Sequence, residues 1–131
     1  MSADIRLYES FLNHRKRRKL EKRLGPQGVV SLIDLWLNVA VSRPKGVLED
    51  MSEQDIALDA QWPGDPKEFC QALIEIGFLH CEDGIYFCHE WGDHQPYAYY
   101  SKERSQQARE AAETRWKRKH PRKKQGGAID D

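Results

Sequence analysis

The residues best suited to chemistry in this sequence are cations. Arg15, Arg18, Lys19 and Lys22 recur at spacings that share one side of a helix, and Arg115, Lys117, Arg118, Lys119, Arg122, Lys123 and Lys124 crowd the far end of the chain. Such side chains bind phosphates. Each one that neutralises a phosphate releases a condensed counterion, giving an affinity that ignores base sequence and falls steeply with salt. The competing reading is a solvated surface that keeps a small domain in solution. The charge distribution favours a partner. Residues 1–23 carry eight Lys/Arg against three acids, residues 24–101 three against thirteen, and residues 102–131 ten against five, so a net charge of zero conceals an acidic body between two basic ends. That asymmetry points to an anionic partner met by the ends.

Other chemistries find little support. His80, Cys81, Cys88, His89 and His94 are zinc-type ligands, but no C-x-x-C knuckle is present. Alternation along strands would put Cys81 and Cys88 on one face and His80 and His89 on the other; buried cysteines and surface histidines are the expectation. There is no glycine-rich phosphate loop and no nucleophile elbow, and the acids are scattered. The sequence therefore predicts no enzyme, no cofactor and no metal. Three cysteines without a signal peptide predict a reducing, cytoplasmic setting without disulfides. The longest apolar run, near Val29–Val41, is interrupted by Ser31, Asp34 and Asn38 and falls short of the roughly 20 residues of a membrane span.

The elements that must position the cations can be read in order. Residues 4–12 predict a short strand, and Asn13 an N-cap for a helix over His14–Leu24 that stops at Gly25-Pro26. Leu20 and Leu24 would rest on the body while the four cations face outward. Gln27–Arg43 is apolar around most of its circumference, with a narrow polar stripe at Ser31, Asp34, Asn38 and Ser42, which marks a central core helix. Gly46-Val47-Leu48 predicts a short strand. Ser52-Glu53-Gln54-Asp55 resembles a capping box for a short helix, and Asp65-Pro66 opens another that ends at Gly77. Asp83-Gly84 between two strand-forming runs predicts a hairpin with a type I′ turn. Trp91–Tyr100 reads as aromatic and irregular: its rings either stack on bases or, the favoured reading, pin the outgoing chain. Ser101–Lys119 predicts a helix with a thin seam of Ala108, Ala111, Ala112 and Trp116.

Helix, helix–turn–helix and hairpin in this order is the winged-helix arrangement. The turn into the third helix (Trp62, Gly64, Asp65, Pro66, Phe69) and the exit from the hairpin (His89, Trp91, His94) add a more specific likeness. Over residues 4–95 the chain resembles the N-terminal winged-helix domains of phage and prophage replication proteins of the replisome-organiser, DnaD-like type. That resemblance implies a part in initiating DNA replication, through DNA contact, self-assembly or both. Members of that group continue into a second helical domain, where this sequence has a basic helix and tail; the expectation is a stand-alone binder or assembly factor.

The sequence thus predicts a mainly α protein with a small β-hairpin wing, of the α+β class. A winged helix-turn-helix would occupy residues 1–95, a basic helical extension 96–120 and a disordered tail 121–131. The third helix of that core, with Asp65, Glu68 and Glu75 against Lys67 alone, is not expected to read DNA; the basic flanks are. The expected partner is DNA, gripped by its phosphate backbone. The alternative is an interaction or self-assembly module in which the acidic body of one copy accepts the basic helix of another, with a replication protein as a further possible partner and no membrane.

Overall fold

The computed structural model describes residues 4–119, which form a mainly helical α+β arrangement with one small antiparallel sheet. The chain divides into two compact units, one through Tyr100 and one from Ser101.

The N-terminal segment departs from expectation. Residues 4–8 are unpaired and a 3-10 helix, Glu9–Asn13, follows, so the short strand predicted for residues 4–12 is absent. The Arg6 N–H and carbonyl pair with the Gln95 side chain instead of a strand. Helix α1, Arg15–Leu24, is capped by His14 rather than Asn13: the His14 imidazole accepts from the Lys16 backbone N–H at 3.1 Å.

Helix α2, Pro26–Ser42, begins with proline at its first turn, where a missing N–H costs nothing. It supplies the buried Leu32, Leu35, Val39 and Ala40. Its polar stripe runs from buried to exposed: Asp34 is half-buried, and Asn38 and Ser42 are exposed. Ser31 is fully buried, with its hydroxyl 3.5 Å from the Gln61 carbonyl, and the Asn38 amide donates to the Asp59 carbonyl at 2.6 Å. These two bonds tie α2 to the last residue of the next helix and to the turn after it. Beside Asn38 and Ser42, an outward apolar line at positions i, i+7 and i+11 is formed by Val30, Leu37 and Val41, which are 50%, 43% and 71% exposed.

Strand β1 is Val47–Leu48. Helix α3, Glu53–Asp59, opens on the capping box: the Ser52 hydroxyl accepts from the Asp55 N–H while the Asp55 carboxylate accepts from the Ser52 N–H. The Ser52 N–H and hydroxyl, both donating to the Asp55 carboxylate, hold that carboxyl below its usual range. Helix α4, Pro66–Ile76, is capped by Asp65 and closed by Gly77 in the left-handed region. The turn before α4 is a packing device. Trp62 stacks on Phe69 with centroids 5.3 Å apart, and a Cβ on Gly64 would lie 2.9 Å from the Trp62 indole nitrogen.

Strands β2, Leu79–Glu82, and β3, Ile85–Cys88, meet through Asp83 and Gly84, both at positive φ (52° and 79°), as a type I′ turn requires. β1 pairs with the other side of β3, giving the sheet order β1-β3-β2. The register places Leu79, Cys81, Tyr86 and Cys88 on one face and His80 and Phe87 on the other. Cys70 and Cys88 are buried, but Cys81 near the hairpin tip is exposed, contrary to the expectation of buried cysteines. The exit segment is helical rather than irregular: α5, Trp91–His94, and α6, Pro96–Tyr99, bury Trp91, Gln95 and Ala98 at i, i+4 and i+7. The Trp91 indole donates to the Pro44 carbonyl at 2.8 Å. The fully buried side chains Leu20, Leu32, Leu35, Leu48, Ile56, Phe69, Leu73 and Leu79 form one core drawn from α1, α2, β1, α3, α4 and β2.

The second unit holds helix α7, Ser101–Lys119, a single helix of 19 residues with no buried side chain. Among the described residues no single helix is long and apolar enough to cross a membrane.

Candidate nucleic-acid interface

Helix α1 is oriented by three ties. Leu20 is buried in the core. The Lys16 ammonium donates to the Gly77 carbonyl at 3.0 Å, compensating the negative end of α4. Arg23 pairs with Glu75 at 2.7 Å, and the Gln71 amide with that guanidinium holds the Glu75 carboxyl below its usual range. Arg17 is also engaged, donating to the Leu12 carbonyl at 3.0 Å and lying 3.5 Å from Glu21. At 100° per residue these contacts face the body, leaving an arc of about 100° for Arg18, Lys22, Arg15 and Lys19. All four are exposed, and none has a side-chain hydrogen bond or ion pair among the described residues. The structure therefore separates α1 cations used by the fold from four that are not.

The C-terminal cations belong to the other unit. Arg115, Lys117, Arg118 and Lys119 are exposed on the last turns of α7. By helical spacing Arg115, Arg118 and Lys119 share a side with Ala108, Ala111 and Ala112, while Lys117 lies away from them. Their place at the C-terminal end also suits the helix dipole, so part of their role is to stabilise α7 itself. Arg122, Lys123 and Lys124, and the tail predicted over 121–131, lie outside the described residues.

Helix α4 presents a different surface. Its exposed residues are Lys67, Glu68, Gln71 and Glu75. Gln71 donates to Glu75 at 2.9 Å, and Glu75 is already paired with Arg23, so half of this surface is committed within the fold.

The histidines and cysteines do not gather: among the described residues no group of three or more His, Cys, Asp and Glu side chains is placed to hold a metal ion. Burial pushes the Cys70 and Cys88 thiols up to about 12, in Cys70 with help from Glu53, so both are held as neutral thiols.

The exit segment chiefly pins the chain. Trp91, Gln95 and Ala98 are buried, and Tyr99 packs on Gly92 and under the Lys45 ammonium, 4.2 Å from its ring centre. Sequence reasoning missed a cleft of about 200 Å³ between the N-terminal segment and the hairpin exit. Arg6, Phe11, Lys16, Trp36, Phe78 and His94 line it from four separate stretches, and only His94 had drawn notice in the sequence. No local pattern could have assembled it.

No protein-family model matches the chain, no curated protein matches it, and no solved structure matches its fold.

Proposed function

We propose that this chain is a non-enzymatic, cytoplasmic winged-helix protein of the phage and prophage replication type that grips the phosphate backbone of DNA. The observation that carries this reading is the division of labour on α1: Arg15, Arg18, Lys19 and Lys22 are exposed and uncommitted among the described residues, while Lys16, Arg17 and Arg23 hold the fold. The winged-helix part is supported by element order, with β1 between α2 and the α3–α4 pair, and by the sheet order β1-β3-β2, in which the strand between helices joins the far side of the hairpin. The partly committed, acidic surface of α4 argues that it does not lie in a major groove as a reading helix does. Contact through phosphates positions a protein without specifying sequence. The cations of residues 115–124, at the end of the basic extension and the start of the tail, are the second candidate grip.

The test is a fluorescence-anisotropy titration of labelled duplex and single-stranded DNA at low and near-physiological salt, with the full chain and a chain ending at residue 114. Binding that weakens steeply with salt is the expected result, and the truncation apportions it between α1 and the C-terminal cluster. No binding at low salt would remove this reading.

One observation favours the alternative, self-assembly. Val30, Leu37 and Val41 form an outward apolar line about three turns long on a helix whose composition is that of a core element. Such a line on a small domain is suited to packing against another helix.

A further inference from the structure

The cleft beside α1 has its own chemistry. Phe11, Trp36 and Phe78 line it as a chain of edge-to-face aromatics, with centroids 5.4 Å and 6.0 Å apart. Tyr8, 43% exposed, stands at its side with its ring edge-on to His94. Around this aromatic lining lie Arg6, His14, Lys16, His89 and His94, against one acid, Glu90. That acid is set between two imidazoles, 3.6 Å from His89 and 3.4 Å from His94. Glu90 is held there in the left-handed region at φ 51°, a conformation disfavoured for a residue with a Cβ.

The walls are fixed before any ligand arrives. Gln95 binds both main-chain polar groups of Arg6, and Lys16 is anchored on Gly77. A preformed cleft spares its ligand the cost of ordering the site. At about 200 Å³ it has room for one flat ring system rather than a long chain. Lys16 is the sequence neighbour of Arg15, the first cation of the exposed α1 strip, so the cleft opens next to the surface assigned to phosphates.

We infer that this cleft receives a single unstacked nucleobase, so that the chain binds single-stranded nucleic acid with a base in the cleft and its phosphates on α1. The inference rests on the phosphate-gripping reading above and adds to it a preference for strands whose bases are free. Aromatic faces take any base, because every base has a π-face, so the preference is for single strands and not for a sequence. Arg6, exposed at the rim, adds the positive charge that keeps the attached phosphate close, while Lys16 stays anchored on Gly77.

The experiment compares the full chain binding a labelled oligothymidine and an abasic strand of equal length, in one low-salt buffer. A single stacked base contributes about tenfold in affinity, so the abasic strand is expected to bind about tenfold more weakly. Tyr8→Ala and, separately, Phe11→Leu, which keeps apolar volume while removing the ring, are expected to narrow that gap without weakening the abasic strand. Thymidine monophosphate is expected to shift the ring resonances of His94 and the indole resonance of Trp36, a readout that needs no variant. Equal affinity for the two strands, with steep salt dependence in both, would overturn the base site and leave the phosphate grip intact. Failure of both strands to bind would overturn both. Resonance shifts produced by an acidic aromatic peptide and not by the nucleotide would make the cleft a peptide site and also overturn the inference.

Discussion

Gln95 holds Arg6 by both of its main-chain polar groups: the Arg6 N–H donates to Oε1 at 2.5 Å, and Nε2 donates to the Arg6 carbonyl at 2.6 Å. A buried side chain thus does for the N-terminal segment what a neighbouring strand would do, across 89 positions of sequence. Two part-buried hydrogen bonds of this kind contribute about 1–3 kcal/mol. Gln95→Ala is expected to lower stability by that amount in urea titrations and to speed amide exchange at Arg6. Gln95→Glu keeps the acceptor but turns a carboxylate oxygen on the Arg6 carbonyl, and is expected to be no better than alanine. Unchanged exchange at Arg6 in both variants would show that the segment is held by other contacts.

Gly46 and Trp91 form the second tie of the exit segment. Gly46 sits at φ 78°, and a Cβ there would lie 2.6 Å from Trp91 Cγ. Gly46→Ala meets the left-handed penalty of about 1–2 kcal/mol and an overpacking cost of about 1–3 kcal/mol. Trp91→Phe loses the bond to the Pro44 carbonyl, about 1 kcal/mol. Urea midpoints should rank wild type above Trp91→Phe and Trp91→Phe above Gly46→Ala; a Gly46→Ala midpoint equal to wild type would contradict this packing.

The cysteines predict a one-sided pH dependence. Cys70 and Cys88 are raised from 9.0 to about 12 by burial, and Tyr86 is raised as well, by burial and by the nearby Glu53. Above pH 9 the unfolded chain releases these thiol protons while the native chain keeps them. The stability they contribute is therefore whole below pH 9 and is lost progressively as the pH climbs toward about 12. Native protein should react with a maleimide quickly at Cys81 and slowly at the other two sites. Three equal rates would place all three thiols at the surface.

Much of the fold was legible because its signals are local. The Ser52–Asp55 box, the Asp65-Pro66 start, the Gly77 stop and the Asp83-Gly84 turn each need only a few adjacent residues, and each appears where the sequence put it. The outward strip of α1 was also readable, since helical spacing alone separates Arg15, Arg18, Lys19 and Lys22 from Leu20. What failed was long-range. Residues 4–12 mix apolar and polar positions as a strand does, but they pair with no strand, and at Arg6 the Gln95 side chain supplies the partner. On α2 the spacing could not tell which side faces the body: Ser31 is buried against Gln61, while Val30, Leu37 and Val41 are left outside. The cleft joins residues from four stretches and had no signal at all.

The α2 line gives the alternative reading its own test. Leu37→Asp and Val41→Asp are surface changes expected to alter stability by only about 0.5 kcal/mol. If copies associate through this line, sedimentation should show a mass that rises with concentration in wild type and stays monomeric in the variants. A wild-type monomer at every concentration would remove that reading.

In the proposed function, four cations on α1 meet phosphates. Its most direct test is the slope of log affinity for duplex DNA against log salt concentration, measured for wild type and for the variant with Arg15, Arg18, Lys19 and Lys22 all changed to Ala. Each phosphate contact contributes about 0.9 to the slope. The expected result is a steep wild-type slope that becomes shallower by about 3–4 in the variant, with circular dichroism unchanged. Equal slopes for the two proteins would contradict it.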